Sequence, residues 1–253
     1  MRSRLVRSAT ALATLLLPSF LLRPLLNALG HRVCPGARIG FSLLCVDRLY
    51  MARGARIGHF NLIILRRVVM RPGSYMGRTN LMSGPLSLWL GRDAALGNGN
   101  KVVRGPLGEV TTGPSYLRLG RLSKITSDHR VDCTRSVTLG DYSTVAGVGT
   151  MIWTHGYVHD LDGPGRYRID GAISIGDNVY IGAGCIVSMG VRIISGVMVG
   201  AGVTVSRDLL EQGLYVSAPM RMLPRPENPD KRENLERVTD PRLCERVYLK
   251  TRR

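Results

Sequence analysis

The sequence predicts an all-β solenoid, a stack of short parallel strands joined by tight turns and closed at each end by a short helical cap. Three observations predict it. Aliphatic residues fall at every sixth position from Ile175 through Ile181, Val187, Ile193 and Val199 to Val205, and glycine follows three of them at Gly176, Gly182 and Gly200. The chain holds 30 glycines and 13 prolines among 253 residues, too many for a helical bundle. Aromatic residues make up only 6%, which suits a narrow aliphatic core. A period of six belongs neither to a helix nor to a simple strand, so each hexad reads as one short strand and one turn. Each coil then buries its aliphatic side chains only against the coils above and below.

The elements follow in chain order. Residues 1–30 begin with the basic MRSRLVR, continue with the charge-free SATALATLLLPSFLL, and end with Arg23 and PLLNALG. The charge-free run is shorter than the ~20 residues that a membrane span needs, and Pro18 interrupts it. No A-x-A-like cleavage site follows it. The segment reads as a helix pair that either caps the solenoid or lies in a membrane interface with its arginines on lipid phosphate. The solenoid domain is expected over 31–222. An early train runs Ile39, Cys45, Met51, Ile57, Ile63, Val69, and shorter ones run Leu90, Leu96, Val102, then Leu119, Ile125, Val131, then Leu139, Val145, Met151. Glycine after the aliphatic residue is expected to relieve backbone strain at the bend. Residues 156–172 are punctuated by glycine and proline and read as an extruded loop. The tail, 223–253, ends in the helix-like DPRLCERVYLKTRR.

Charge narrows the partners. The net charge is +17, and residues 1–108 hold 16 Lys and Arg against only Asp47 and Asp93. A basic half attracts anionic lipid, phosphorylated substrates or nucleic acid. No recognition helix, RNP-type pattern or zinc finger accompanies it, so nucleic acid is not an expected partner. Peripheral membrane contact through this half is expected. The five cysteines are scattered without a CxxC pair, which points to a reducing compartment and to no disulfide or zinc framework. A cytoplasmic location at the inner face of the membrane fits both observations.

The segment ISIGDNVYIGAGCIVSMGVRIISGVMVGAGVTVSRDL, residues 173–209, closely resembles the hexapeptide-repeat acyltransferases, the left-handed β-helix family that includes galactoside, maltose and serine acetyltransferases. The preceding SDHRVDCTRSVTLGDYSTVAGVGTMIWTH is similar to the sugar O-acetyltransferases of polysaccharide and O-antigen biosynthesis. The resemblance is strong over 119–222 and extends only to the repeat over 37–105. It implies the left hand, where the general rule for parallel crossovers would give the right. It also implies a homotrimer with sites in the clefts between subunits, acetyl-CoA as acyl donor, and a sugar or glycan acceptor, lipid-linked or free. No metal is implied.

Acetyl transfer to a hydroxyl needs a base, because an alcohol is a poor nucleophile until its proton is withdrawn, and a neutral imidazole serves near pH 7. The resemblance places His155 in that role, with no acyl-enzyme. Asp160 and Asp162 are the acids nearest in sequence that would orient it, with an acid from a neighbouring subunit as a further choice. His159, Asp132 and His129 are candidate substrate contacts; the last two stand about one coil before His155, where a solenoid would stack them on one face. Arg166 and Arg168 are candidates to face an anionic sugar or a lipid-linked diphosphate. Trp153 is expected to pack where the chain leaves the coil. By resemblance Tyr180, Ala183, Ala201, Ser206, Arg207 and Arg221 would hold coenzyme A. Ser217-Ala218-Pro219-Met220-Arg221 departs from the usual Gly-x-Pro-Ala-Lys. Two other functions share the scaffold. One is a γ-type carbonic-anhydrase-like metalloenzyme using His129, His155 and His159, and the other is a noncatalytic membrane-docking solenoid.

Overall fold

The computed structural model describes residues 4–108, 111–217, 221–223, 235–237 and 248–250. Two helices, α1 (Arg4–Leu16) and α2 (Ser19–Ala28), lead into a parallel β-solenoid with three faces. Among the described residues the first face carries nine parallel strands, from Arg38–Ile39 to Leu214–Val216. In the lowest coils the second and third faces are one continuous strand. Leu62–Met70 pairs through Leu62–Ile64 with Leu81–Ser83 and through Arg67–Met70 with Ser87–Leu90. Above it the corner opens and the faces separate. The second then climbs to Thr204–Val205 and the third to Arg192–Ile193.

Register explains why the trains of six change phase. On the first face Ile39 pairs with Ile57, Ile57 with Met76 and Met76 with Leu96, so successive coils differ in length. Only the upper coils keep the strict six. In the nine-residue strand Leu43–Met51 the buried positions are Leu44, Val46, Leu49 and Met51, so Cys45 turns outward, contrary to its place in the train. Val69 likewise lies in the outward register of Tyr50 and Trp89, between Val68 and Met70 on the inward side. Met151 is displaced by one extra residue in the corner Ala146–Thr150, and Ile152 takes the buried position.

The corner glycines do a different job from the one the sequence suggested. Gly58 does not have a left-handed backbone; a Cβ there would lie 2.5 Å from the carbonyl oxygen of Gly77 in the next coil. Glycine therefore lets coils stack closely. The left-handed positions come two residues later, at Phe60 and Thr79, with φ of 61° and 56°.

Inside this corner a buried polar ladder links the coils. Asn61 Oδ1 accepts the backbone N–H of Asn80, Asn80 Oδ1 that of Asn100, and Asn100 Oδ1 that of His129, at 2.9, 2.9 and 3.0 Å. His129 Nδ1 continues it by accepting from Thr150 N–H at 3.1 Å. Each rung pairs a buried amide that would otherwise cost about 1–3 kcal/mol.

The helices close the lower edge. Thr14 Oγ1 accepts the Leu44 N–H, Thr14 O that of Ser42, His31 Nδ1 that of Leu49 and Ser19 Oγ that of Ile39. An open strand edge is thereby paired rather than left as a template for association. The other side of the same helices exposes Leu5, Leu12, Leu16, Phe20 and Leu21. Among the described residues no helix is long and apolar enough to cross a membrane. At the far end the tail does not form the expected helix where it is described: Tyr248–Lys250 pairs antiparallel with Leu235–Arg237. The rest of DPRLCERVYLKTRR, including Cys244, lies outside the described residues.

Candidate active site

Two excursions leave the solenoid at the same corner, between the second and third faces. The lower, described over 105–108 and 111–115, is fastened by the buried Arg104, whose guanidinium donates to the carbonyls of Pro85, Thr112 and Gly113 at 2.8–2.9 Å. The upper is an antiparallel hairpin, His155–His159 against Arg166–Asp170. One coil without an excursion runs between them, and its turn Cys133–Ser136 forms the floor.

Asp132 ends the strand Arg130–Asp132, one coil beneath Thr154 and His155, and is 5% exposed. Its carboxylate is saturated with donors. Oδ2 accepts from Thr154 N at 3.1 Å, Thr154 Oγ1 at 2.5 Å and His155 Nδ1 at 2.9 Å. Oδ1 accepts from Thr134 N at 3.3 Å and Thr134 Oγ1 at 3.0 Å. Because an ionised carboxylate only accepts, the proton of the neutral imidazole sits on Nδ1, and Nε2 keeps a lone pair. Thr134 Oγ1, 3.2 Å from Nδ1, supports the ring from below.

The imidazole is held laterally as well. Trp153 and Tyr157 meet it edge-on, with centroids 6.2 and 5.9 Å away and interplanar angles of 88° and 87°. Trp153 is thus an exposed wall of the site rather than a packed residue at the exit. The hairpin base is tied by Asp170, whose carboxylate meets Arg168 at 2.7 Å and Arg135 at 3.9 Å. Gly171 allows that base to sit against the next coil, since a Cβ there would lie 2.4 Å from Gly190 N. Cys133, beside Asp132, is fully buried; burial and then the Asp132 charge push its thiol far above the ordinary range, so it stays protonated.

The expected site residues separate into three groups. Asp132 and His155 come together. His159, Asp160 and Asp162 ride out to the exposed hairpin tip, so Asp132, one coil below, supplies the carboxylate at Nδ1. His129 lies in the polar ladder at the other end of its strand, 1% exposed, with Nε2 3.0 Å from Thr126 Oγ1. It does not share a face with the site, and burial lowers its pKa. The three histidines invoked for a metal are therefore not brought together. Among the described residues no group of three or more His, Cys, Asp or Glu is placed to hold a metal ion.

The coenzyme A candidates fall elsewhere. Tyr180 is exposed on the first face, and Ala183 and Ala201 stack at the corner between the first and second faces, where Ala183 O accepts from Gly202 N at 2.8 Å. Ser206 and Arg207 are exposed above His155, at the corner between the second and third faces. The Arg221 backbone pairs with Val216. Ala183 and Ala201 thus lie on the opposite edge of the second face from His155, while Ser206 and Arg207 lie on the same edge as His155. Sequence reasoning missed Thr134 and Asp170, which meet Asp132 and Arg168 two residues away, and Arg135, which the stacked coil brings beside Asp170. The Thr154–His155 pair was the available signal.

No family model matches the sequence, and no curated protein matches it. Solved structures do. The polySia-specific acetyltransferase NeuO aligns over 80% of this chain and 84% of its own, at 18% identity and a TM-score of 0.51. The fold is that of the hexapeptide-repeat acetyltransferases. A hexapeptide-repeat acetyltransferase from Vibrio cholerae, solved with acetyl coenzyme A, aligns over 89% of this chain and 87% of its own at 17% identity and a TM-score of 0.42. A maltose O-acetyltransferase from Clostridium difficile aligns over 56% and 67% at 22% identity and a TM-score of 0.39.

Proposed function

We propose that the protein is an O-acetyltransferase that moves the acetyl group of acetyl-CoA to a hydroxyl of a sugar or glycan in cell-surface polysaccharide biosynthesis. The observation that carries the reading is the Asp132–His155 pair at the mouth of an extruded hairpin, with Nε2 left as a lone pair beside exposed aromatic walls. The name of one structural neighbour, the polySia-specific acetyltransferase NeuO, supports the same chemistry.

The steps follow from the atoms. Nε2 withdraws the hydroxyl proton as the sugar oxygen bonds to the thioester carbonyl carbon. The tetrahedral intermediate collapses, the carbon–sulfur bond breaks, and the imidazolium returns its proton to the departing thiolate. Asp132 holds the ring in one tautomer and stabilises the positive charge that develops on it. No acyl-enzyme forms and no metal takes part.

The separation of the two residue sets supports a homotrimer. A neighbour's edge bearing Tyr180, Ala183 and Ala201 would face His155 across a cleft, with Ser206, Arg207 and Arg221 toward the coenzyme phosphates. The hairpin, with His159, Asp160, Asp162, Arg166 and Arg168, would cover the acceptor. The exposed leucines and Phe20 of the end cap, flanked by Arg4 and Arg23, would rest on the inner face of the cell membrane, where a lipid-linked acceptor is presented.

The test is release of free thiol from acetyl-CoA across a panel of sugars and glycans. The reading requires acceptor-dependent release that His155→Ala abolishes. Undiminished release by that variant, or none with any acceptor, overturns it.

A further inference from the structure

The basic half of the chain is organised, and its charge has a geometry. Two adjoining cavities of about 750 and 570 Å³ lie on the outer side of the third face and share Tyr50, Arg71 and Trp89. Their lining includes Arg48, Arg67, Arg71, Arg92, Arg118 and Arg121. All six side chains are exposed, and among the described residues only Arg121 is in an ion pair, with Asp141 at 3.6 Å. Asp141 is the only acidic residue in either lining.

The pattern follows from register. Arg48, Arg67, Ser87 and Tyr116 are successive outward positions along one edge of the face; Tyr50, Val69, Trp89 and Arg118 form the next row. Coils rise by about 4.8 Å, so the rows span about 15 Å along the axis. The result is a groove lined by guanidinium groups together with the rings of Tyr50, Trp89 and Tyr116.

We propose that this groove binds an acidic glycan chain and delivers its hydroxyls to His155, a reading that rests on the proposed acetyl transfer. Planar guanidinium forks pair with carboxylate or phosphate in bidentate fashion. The half-exposed rings between them present apolar surface to the C–H faces of sugars. The groove also leads to the site. Its Tyr116 edge abuts the turn that carries Thr134 and Arg135, with Tyr116 N donating to Ser136 Oγ at 3.3 Å. Above Arg118 the floor continues through the small polar Thr138 and Ser174 along the base of the hairpin. A membrane is the poorer occupant. The groove is concave, and the exposed apolar side chains suited to a bilayer lie on the end-cap helices instead.

The test measures binding to the full-length protein without any turnover. Oligogalacturonate is titrated against wild type, with neutral maltodextrin, single-stranded DNA and phosphatidylglycerol vesicles as comparison ligands. The double variant Arg67→Glu, Arg118→Glu should weaken oligogalacturonate binding by about tenfold or more. Arg38→Glu with Arg56→Glu, the same charge change on the first face, should leave binding within about twofold. The single variant Arg118→Ala serves if the double variant does not fold. Equal weakening by the two charge reversals, equal binding of maltodextrin, or tighter binding of DNA or vesicles in the groove overturns the proposal. Thiol release with a small neutral sugar should survive Arg118→Ala. Loss of glycan binding with that release intact supports the groove. A wild type that binds oligogalacturonate but releases no thiol with any acceptor of the panel refutes the acetyl-transfer reading, and delivery to His155 with it, while the groove binding stands.

Discussion

Replacing Asp132 by Asn tests the dyad while keeping its shape. The carboxylate takes five contacts from Thr134, Thr154 and His155, and an amide cannot accept all of them. With the amide oxygen at the Oδ2 position, the NH₂ group faces the Thr134 N–H, at a cost of about 1–3 kcal/mol in stability. With the amide reversed, NH₂ faces Nδ1, the imidazole takes its proton on Nε2, and the lone pair proposed as the base is lost. The first arrangement still forfeits charge stabilisation. A unit pair about 4 Å apart is worth about 4 kcal/mol near a protein surface. If half to three quarters of the imidazolium charge has developed in the transition state, about 2–3 kcal/mol is lost, roughly 30- to 150-fold in rate. Tautomer reversal adds to that, so kcat/KM should fall by about 10²-fold or more, with KM for acetyl-CoA little changed. The assay is thiol release at fixed acceptor, alongside thermal unfolding. Activity within about threefold of wild type in a folded Asp132→Asn protein would refute the assignment of Asp132 as the group that orients His155.

Other consequences are equally concrete. Thr134→Val keeps the β-branched shape but removes the donor to Asp132 Oδ1; it should cost about 1–2 kcal/mol in stability and lower kcat, read by unfolding and by steady-state rates. Gly171→Ala places a methyl group 2.4 Å from Gly190 N, so the hairpin base must shift, and thiol release should fall together with the melting midpoint. Burial lowers the pKa of His129 from its ordinary 6.5, so the unfolded chain binds the proton more readily and stability is lost as pH falls below about 6.5. His129→Asn continues the ladder of Asn61, Asn80 and Asn100, and should flatten that acid limb in a melting series across pH without loss of fold.

Much of the solenoid was legible because its rule is local. Ile175 to Val205 keep a strict six, and every member is buried. The rule weakened where coils lengthen. Cys45 and Val69 sit in nine-residue strands that run through a corner, and a period read in sequence cannot register a corner that has disappeared. His155 was legible as the residue where the rhythm breaks, but its partner was not. Proximity along the chain favoured Asp160 and Asp162, which a hairpin carries away. Stacking brings up Asp132 from 23 residues earlier. His129 shows the converse. Its residue type suggests chemistry, while its position repeats a rung otherwise filled by asparagine. The basic half was visible as a net charge, but the alignment of its arginines with Tyr50, Trp89 and Tyr116 depends on register between coils.

The central claim is direct acetyl transfer with His155 as base, and the most direct measurement follows labelled acetyl from acetyl-CoA. Label should appear in the glycan as an alkali-labile ester with wild type, and not with a folded His155→Ala protein. Label retained on the protein, or carried to the glycan undiminished by that variant, would contradict it.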